Sequence, residues 1–268
     1  MTECRLLKQH PPWKVVRGFA RQDGGSLVHL GNVSGGVFGG DRLRLRARLE
    51  SGAEAMMTTT GATRIYRPRV AAPEAVLECE VELGADALLD FLPDPLIPFR
   101  GARLVQKAVF SLEAGAVLLS WEVIAPGRAA AGEVFAFERM KIATEIQVCG
   151  RPVLDDRLLF EPRHFPLSAA GSMGRYKYLV TFVAMRAGAA SAETKRLEEK
   201  MAELGAQAES VAGVSDELWA STELPAHGVL VRGALRSPLR IPHRLQSLWC
   251  AARQEICGRT VALPRKTY

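Results

Sequence analysis

No apolar run in this chain approaches the length of a membrane span, although 48% of its 268 residues are hydrophobic. The apolar residues are therefore expected to fill the core of a soluble protein. Behind the charges of the N-terminal stretch MTECRLLKQHPPWK there is no apolar h-region, so no secretory signal is expected and the cytoplasm is the default compartment. Cysteine is scarce and scattered. Cys4, Cys79, Cys149, Cys250 and Cys257 are odd in number and show no CxxC spacing, which suits reduced thiols better than a disulfide framework. With no HxxxH pair either, any metal site has to be assembled from distant residues or lean on carboxylates. Phosphate-cradling and dinucleotide loops are missing too, as is a GxSxG nucleophile elbow. The five histidines (His10, His29, His164, His227 and His243) fall in no motif, so no catalysis is assigned. A net charge of +6 comes without a basic run interleaved with aromatics, which disfavours nucleic acid and favours a surface complementary to an acidic protein partner.

What the chain does have is glycine in a shaped loop. GNVSGGVFGGD, from Gly31 to Asp41, carries the pairs Gly35-Gly36 and Gly39-Gly40 and leads directly into DRLRLRARLE. There Leu43, Leu45, Ala47 and Leu49 alternate with Arg42, Arg44, Arg46 and Arg48, the period of a half-buried strand. Asp41 sits at the junction. It reads equally as a solvated turn residue and as a carboxylate held in place for a purpose.

Residues 13 to 30 read as two short strands joined at Asp23-Gly24-Gly25. AEAMMTTTGATRIYR gives a strand through Met57, a Thr-Gly turn and a strand resuming at Ile65 and Tyr66. AVLECEVEL places Glu78, Glu80 and Glu82 on one face, which can pair across a sheet with the arginine-faced strand. LLDFLPDPLIPF, with Pro93, Pro95 and Pro98, contains an extended bend. AVLLSWEVIA reads as a strand buried on both faces, so Glu122 within it needs Arg128 or another cation, or else a working role. The alternation from Glu133 to Val148 slips near Glu138, as a β-bulge would make it. Amphipathic helices are expected at 191–205, from Ser191 to a terminating Gly205, and at 241–257, ending at Gly258. The sum is a single domain, 1–268: an all-β body of a dozen or more short strands with about two α-helices.

Six stretches, in order, carry a resemblance: GGVFGGDRL, TTTGATRIYR, LDFLPDPLIPF, LSWEVIAPGRAAAGEVF, GRPVLDDRLLFEP and the closing VALPRKTY. Together the chain resembles the urease accessory protein D family (UreD, also called UreH). The resemblance implies an elongated, mainly antiparallel β assembly. It also implies a non-enzymatic maturation factor that binds UreF, the GTPase UreG through UreF, and the urease apoprotein, and helps deliver nickel through an internal polar channel. No cofactor is expected to stay tightly bound, and neither nucleic acid nor membrane is an expected partner.

Carried over by motif, the resemblance puts the channel lining at Asp41, Thr63, Glu122 and Asp156. Gly35, Gly36, Gly39, Gly40, Tyr66, Arg67, Arg128 and Glu133 become structural motif positions, with Arg128 and Glu133 as structural or channel partners. Thr60 stands where the family often has Pro, and Arg64 where Lys is common. Isolated carboxylates and hydroxyls would hold a borderline divalent ion weakly, which suits passage. The same carboxylates read equally as internal anchors bonded to Arg128, Arg157 or backbone amides. The competing expectation is a pure scaffold joining UreF and UreG to urease. The C-terminal helix and the LPRKTY tail are candidate UreF contacts.

Overall fold

Strands β1 (Trp13–Lys14), β2 (Gly18–Ala20) and β3 (Ser26–Asn32) open the chain, and β2 and β3 form the hairpin expected at Asp23-Gly24-Gly25. Next come β4 (Arg42–Leu49), β5 (Glu54–Thr59), β6 (Thr63–Ile65), β7 (Ala75–Leu83), β8 (Leu88–Phe91) and β9 (Leu96–Pro98). They are followed by β10 (Arg103–Leu112), β11 (Val117–Ile124), β12 (Arg139–Val148), β13 (Arg151–Phe160) and β14 (Tyr178–Arg186). Helix α1 (Ser191–Ala206), β15 (Ser210–Val211), β16 (Val214–Ser215), β17 (Glu217–Leu224), β18 (Gly228–Leu235) and α2 (Ile241–Cys257) complete the order. This computed structural model describes residues 1–69, 72–207, 210–211 and 214–264. The last four residues of the LPRKTY tail lie outside the described residues.

The chain winds between two facing sheets. β4, β7, β10 and β12 lie side by side and parallel in one, which we call the outer sheet. β3, β5, β8 and β11 lie side by side and parallel in the other, the central sheet. Each circuit adds one strand to each sheet. Only after four circuits does the winding stop: β13 turns back antiparallel on β12, and β14, β18 and β17 extend the central sheet antiparallel. The expectation of a mainly antiparallel assembly is therefore corrected. An all-β body with two helices stands, but its sheets are mixed. A chain that crosses to the opposite sheet and back re-enters the first sheet in its original direction, whereas a tight hairpin reverses it.

The arginine-faced strand does meet the acidic one, in parallel register. Arg44, Arg46 and Arg48 stand beside Glu78, Glu80 and Glu82 on the solvent face of the outer sheet. Arg44 Nη2 lies 2.6 Å from Glu78 Oε2, and Arg46 Nε lies 2.7 Å from Glu80 Oε2. The slip near Glu138 is not a bulge in a strand. β12 starts at Arg139, so Phe135 and Phe137 belong to the preceding loop, and the register shift falls at Ile146 and Gln147.

The core is divided by the central sheet. On its helix side, Leu119, Trp121, Phe182 and Val231 pack against Leu197 and Met201 of α1 and Leu245, Leu248, Trp249 and Ala252 of α2. Trp249 is fully buried, a core residue as its helical spacing implied. α1 begins at Ser191 as expected but continues through Gly205 to Ala206, and α2 ends at Gly258 in the left-handed conformation (φ 66°). Between the sheets lie two separate apolar clusters, one containing Leu49, Leu83, Leu89, Leu112 and Leu118, the other Leu43, Leu77, Leu104, Ile124 and Ile142.

Candidate functional site

What separates those two clusters is a polar row. On β11, Leu118 belongs to one cluster and Ile124 to the other, with Ser120 and Glu122 between them on the same face of the strand. Four further strands repeat the pattern. Ala108 and Leu104 flank Gln106 on β10, Ile146 and Ile142 flank Thr144 on β12, Leu154 and Leu158 flank Asp156 on β13, and Val183 and Leu179 flank Thr181 on β14. Strand register sets Glu122 beside Thr181 and Thr181 beside Arg232 of β18. In the facing sheet it sets Thr144 beside Asp156.

Two contacts close the row across the gap. The Gln106 side-chain amide donates to Glu122 Oε1, and Arg232 Nη2 donates to Asp156 Oδ2 at 2.8 Å. Removal from water pushes the Glu122 carboxyl up to about 7, with the charge of Asp156 adding to the rise, while the Gln106 bond and the Arg232 charge oppose it. A carboxylate that changes charge near neutrality can take up or release a proton or a cation at small cost. Arg128, the nearest arginine in sequence, is not its partner. It forms a two-pronged pair with Glu133 (2.6 and 3.0 Å), and this bond, ahead of the Arg100 contacts, draws the Glu133 carboxyl down to about 2. Arg157 likewise bonds Asp155 rather than Asp156.

Asp41 and Thr63 lie outside the row. Asp41 Oδ2 accepts from the Phe38 amide at 2.8 Å, and the Asp41 amide donates back to the Phe38 carbonyl, so the carboxylate caps its own turn. Thr63 opens β6 and lines a pocket of about 220 Å³ together with Trp13, Gly35, Gly36, Thr59 and Thr60.

The motif glycines and their neighbours assemble at the same end of the sheets. Gly35 and Gly40 have φ of 78° and 90°, and a Cβ on Gly36 would lie 2.2 Å from Tyr66 Cε2. Gly39 is pressed as closely against Pro68. Tyr66 stacks on Phe38 and meets Phe99 edge-on, both at 4.7 Å, and the Arg128 guanidinium lies 4.6 Å over the Phe99 ring. Arg67 packs beside Gly101, whose Cβ would lie 3.5 Å from that of Arg67. Four distant blocks thus form one surface.

Over residues 1–268 the chain matches the family described as UreD urease accessory protein. It belongs to the UreD family. The urease accessory protein UreD of Herpetosiphon aurantiacus is 38% identical over all of this chain and 92% of its own length. Those of Pseudomonas putida KT2440 and Bacillus sp. TB-90 are 31% and 28% identical, over 99% and 90% of this chain and 88% and 84% of theirs. A urease accessory role follows.

In this UreD family member, reading the sequence missed Gln106, Thr144, Thr181 and Arg232. Their signal was available: each is a polar residue at an inward position of an otherwise apolar strand. Also unforeseen was the buried group in which Asp90 of β8 accepts from Trp249 Nε1 at 2.7 Å and from Arg253 Nη1. Among the described residues no three His, Cys, Asp or Glu side chains come together as a metal-holding group, and no helix is long and apolar enough to cross a membrane.

Proposed function

We propose that this UreD family member is a maturation factor rather than an enzyme, working in the cytoplasm with UreF and, through UreF, with the GTPase UreG to deliver nickel to the urease apoprotein. The ion is cargo. It passes between the two sheets along the row that holds Glu122 and Asp156, with Thr63 at a mouth beside the glycine loop and Asp41 keeping that loop in shape. The observation that carries the reading is the row itself. Polar and ionisable side chains cost free energy between apolar layers unless they are bonded or hydrated, and here β10, β11, β12, β13, β14 and β18 each place one at the level that divides two cores. Oxygen donors alone bind a borderline cation loosely enough to let it leave.

The scaffold reading also has an observation in its favour. Arg232 already pairs with Asp156 and Gln106 with Glu122, so each carboxylate has a partner without any ion. Urease activation in cells separates the two. Glu122→Gln and Asp156→Asn keep shape and hydrogen bonding while removing charge. The passage reading expects intact complexes with UreF, UreG and urease in pull-downs, but nickel-poor urease with activity lowered tenfold or more. Full activity with either variant would leave only the scaffold.

A further inference from the structure

The chain carries an excess of six positive charges, and Arg44 and Arg46 of β4 add nothing to it, because they are matched by Glu78 and Glu80. Around the glycine loop the balance differs. Arg64 and Arg67 are exposed and have no ion pair among the described residues, and Arg64 reaches only the Gly35 carbonyl. Arg100 and Arg128, with side chains 69% and 47% exposed, share the single carboxylate of Glu133. Counting Asp41 as well, four arginines stand against two carboxylates, a local excess of two. At the centre Phe38 is 48% exposed, stacked on Tyr66. Arginine and aromatic side chains on a rigid support are the composition of binding hot spots.

Three further features fit a docking face. The loop is held in one shape by the Asp41 cap and by Asn32, which bonds Ser34 and the Gly36 carbonyl, so little ordering is left for binding to impose. The pocket of about 220 Å³ adjoins the face, with Gly35, Gly36 and Arg64 in its walls, and has room for a side chain. Trp13, another wall, buries its indole Nε1 with no acceptor among the described residues. The face thus has more positive charge than its two carboxylates balance, and a donor in the pocket wall without an acceptor among the described residues.

We infer that this end of the molecule docks an acidic polypeptide segment, which sets an apolar side chain against Phe38 and carboxylates against Arg64, Arg67 and Arg100. The inference stands apart from the route taken by nickel, since it concerns what sits on the loops. It is tested by placing a photo-crosslinking phenylalanine analogue at position 38 of the full chain in cells, with a control at exposed Leu159 on β13, and sequencing the crosslinked peptides. The expected result is a protein segment richer in Asp and Glu than in Lys and Arg, captured from position 38 and not from 159. Capture should fall at least tenfold with Arg64→Glu/Arg67→Glu, and severalfold with the milder Arg64→Ser/Arg67→Ser, at unchanged melting temperature. Capture of a basic segment or of nucleic acid, capture that survives both substitutions, or no capture above the control overturns the inference. An acidic segment from outside the urease system would uphold the docking face and count against the proposed function.

Discussion

Gln106 on the outer sheet donates its side-chain amide to Glu122 on the central sheet, tying the two layers together between the two apolar clusters.

The burial of Glu122 at this level makes stability depend on pH, and the Gln106 bond only moderates the effect. Glu122 titrates near 7 in the folded chain against an ordinary 4.5, so between those values the folded state binds more protons than the unfolded one. Stability contributed at low pH is then lost as the pH rises through this window, and the loss levels off above it. Glu122→Gln is expected to flatten the decline by on the order of 2 kcal/mol between pH 5 and 8, read from urea unfolding at each pH. A decline equally steep in the variant would assign it to other groups.

Asp90 and Arg253 are both fully buried, and Arg21 lies 3.9 Å from the same carboxylate. Asp90→Ala removes the nearer anion of the buried Arg253 guanidinium and leaves it only Asp23, at 3.7 Å, which is expected to cost about 3–5 kcal/mol. Replacing both partners, as Asp90→Leu/Arg253→Met, should cost clearly less than the single change. Thermal and urea unfolding measure both; a single change as mild as the double would mean the charge is not stranded.

Gly36→Ala would push a methyl into the Tyr66 ring and to 2.9 Å from the Arg64 carbonyl, forcing Tyr66 out from between Phe38 and Phe99. A loss of about 1–3 kcal/mol and faster protease cleavage between residues 31 and 41 are expected. Gly61→Ala, with nothing within 4 Å, should stay within about 0.5 kcal/mol of the parent.

The charged ladder on the outer sheet is expected to matter little to stability. Arg44 and Glu78 are 52% and 33% exposed, so Arg44→Ala should cost less than about 1 kcal/mol, and less still in 0.5 M salt. A larger loss would show the ladder acting as a network.

The arginine and glutamate strands were paired correctly from sequence because charge at every second position reports which face meets water. Alternation is silent about strand direction, and there the expectation failed. A direction signal was nonetheless written in the turns. LESGA, LGADA and LEAGA recur at Leu49, Leu83 and Leu112, each turn four residues long, with the left-handed position falling on Gly52, Asp86 and Gly115 (φ 67°, 56° and 73°). The three leucines stand beside one another in the outer sheet. Recurring turns at spacings near thirty residues mark a wound chain. Glu122 was legible as a buried acid, but its partner was sought in Arg128 because that residue is near in sequence. In a wound chain neighbours in space come from the next circuit or the facing sheet, which is where Gln106 lies, while Arg232 comes from the antiparallel extension of Glu122's own sheet, two strands over.

The same arrangement sets a clock for biosynthesis. Asp90 and Arg253 are separated by 163 residues, so at about 5–20 residues per second the carboxylate, with only Arg21 near it, waits roughly 10–30 s for its closer cation to be translated. During that interval the central sheet lacks α2, the helix that supplies Trp249 and Arg253 to Asp90. A nascent chain of this protein is therefore expected to hold the part of its apolar surface that α2 covers open until α2 leaves the ribosome, the period in which it is most prone to aggregate and most dependent on being shielded.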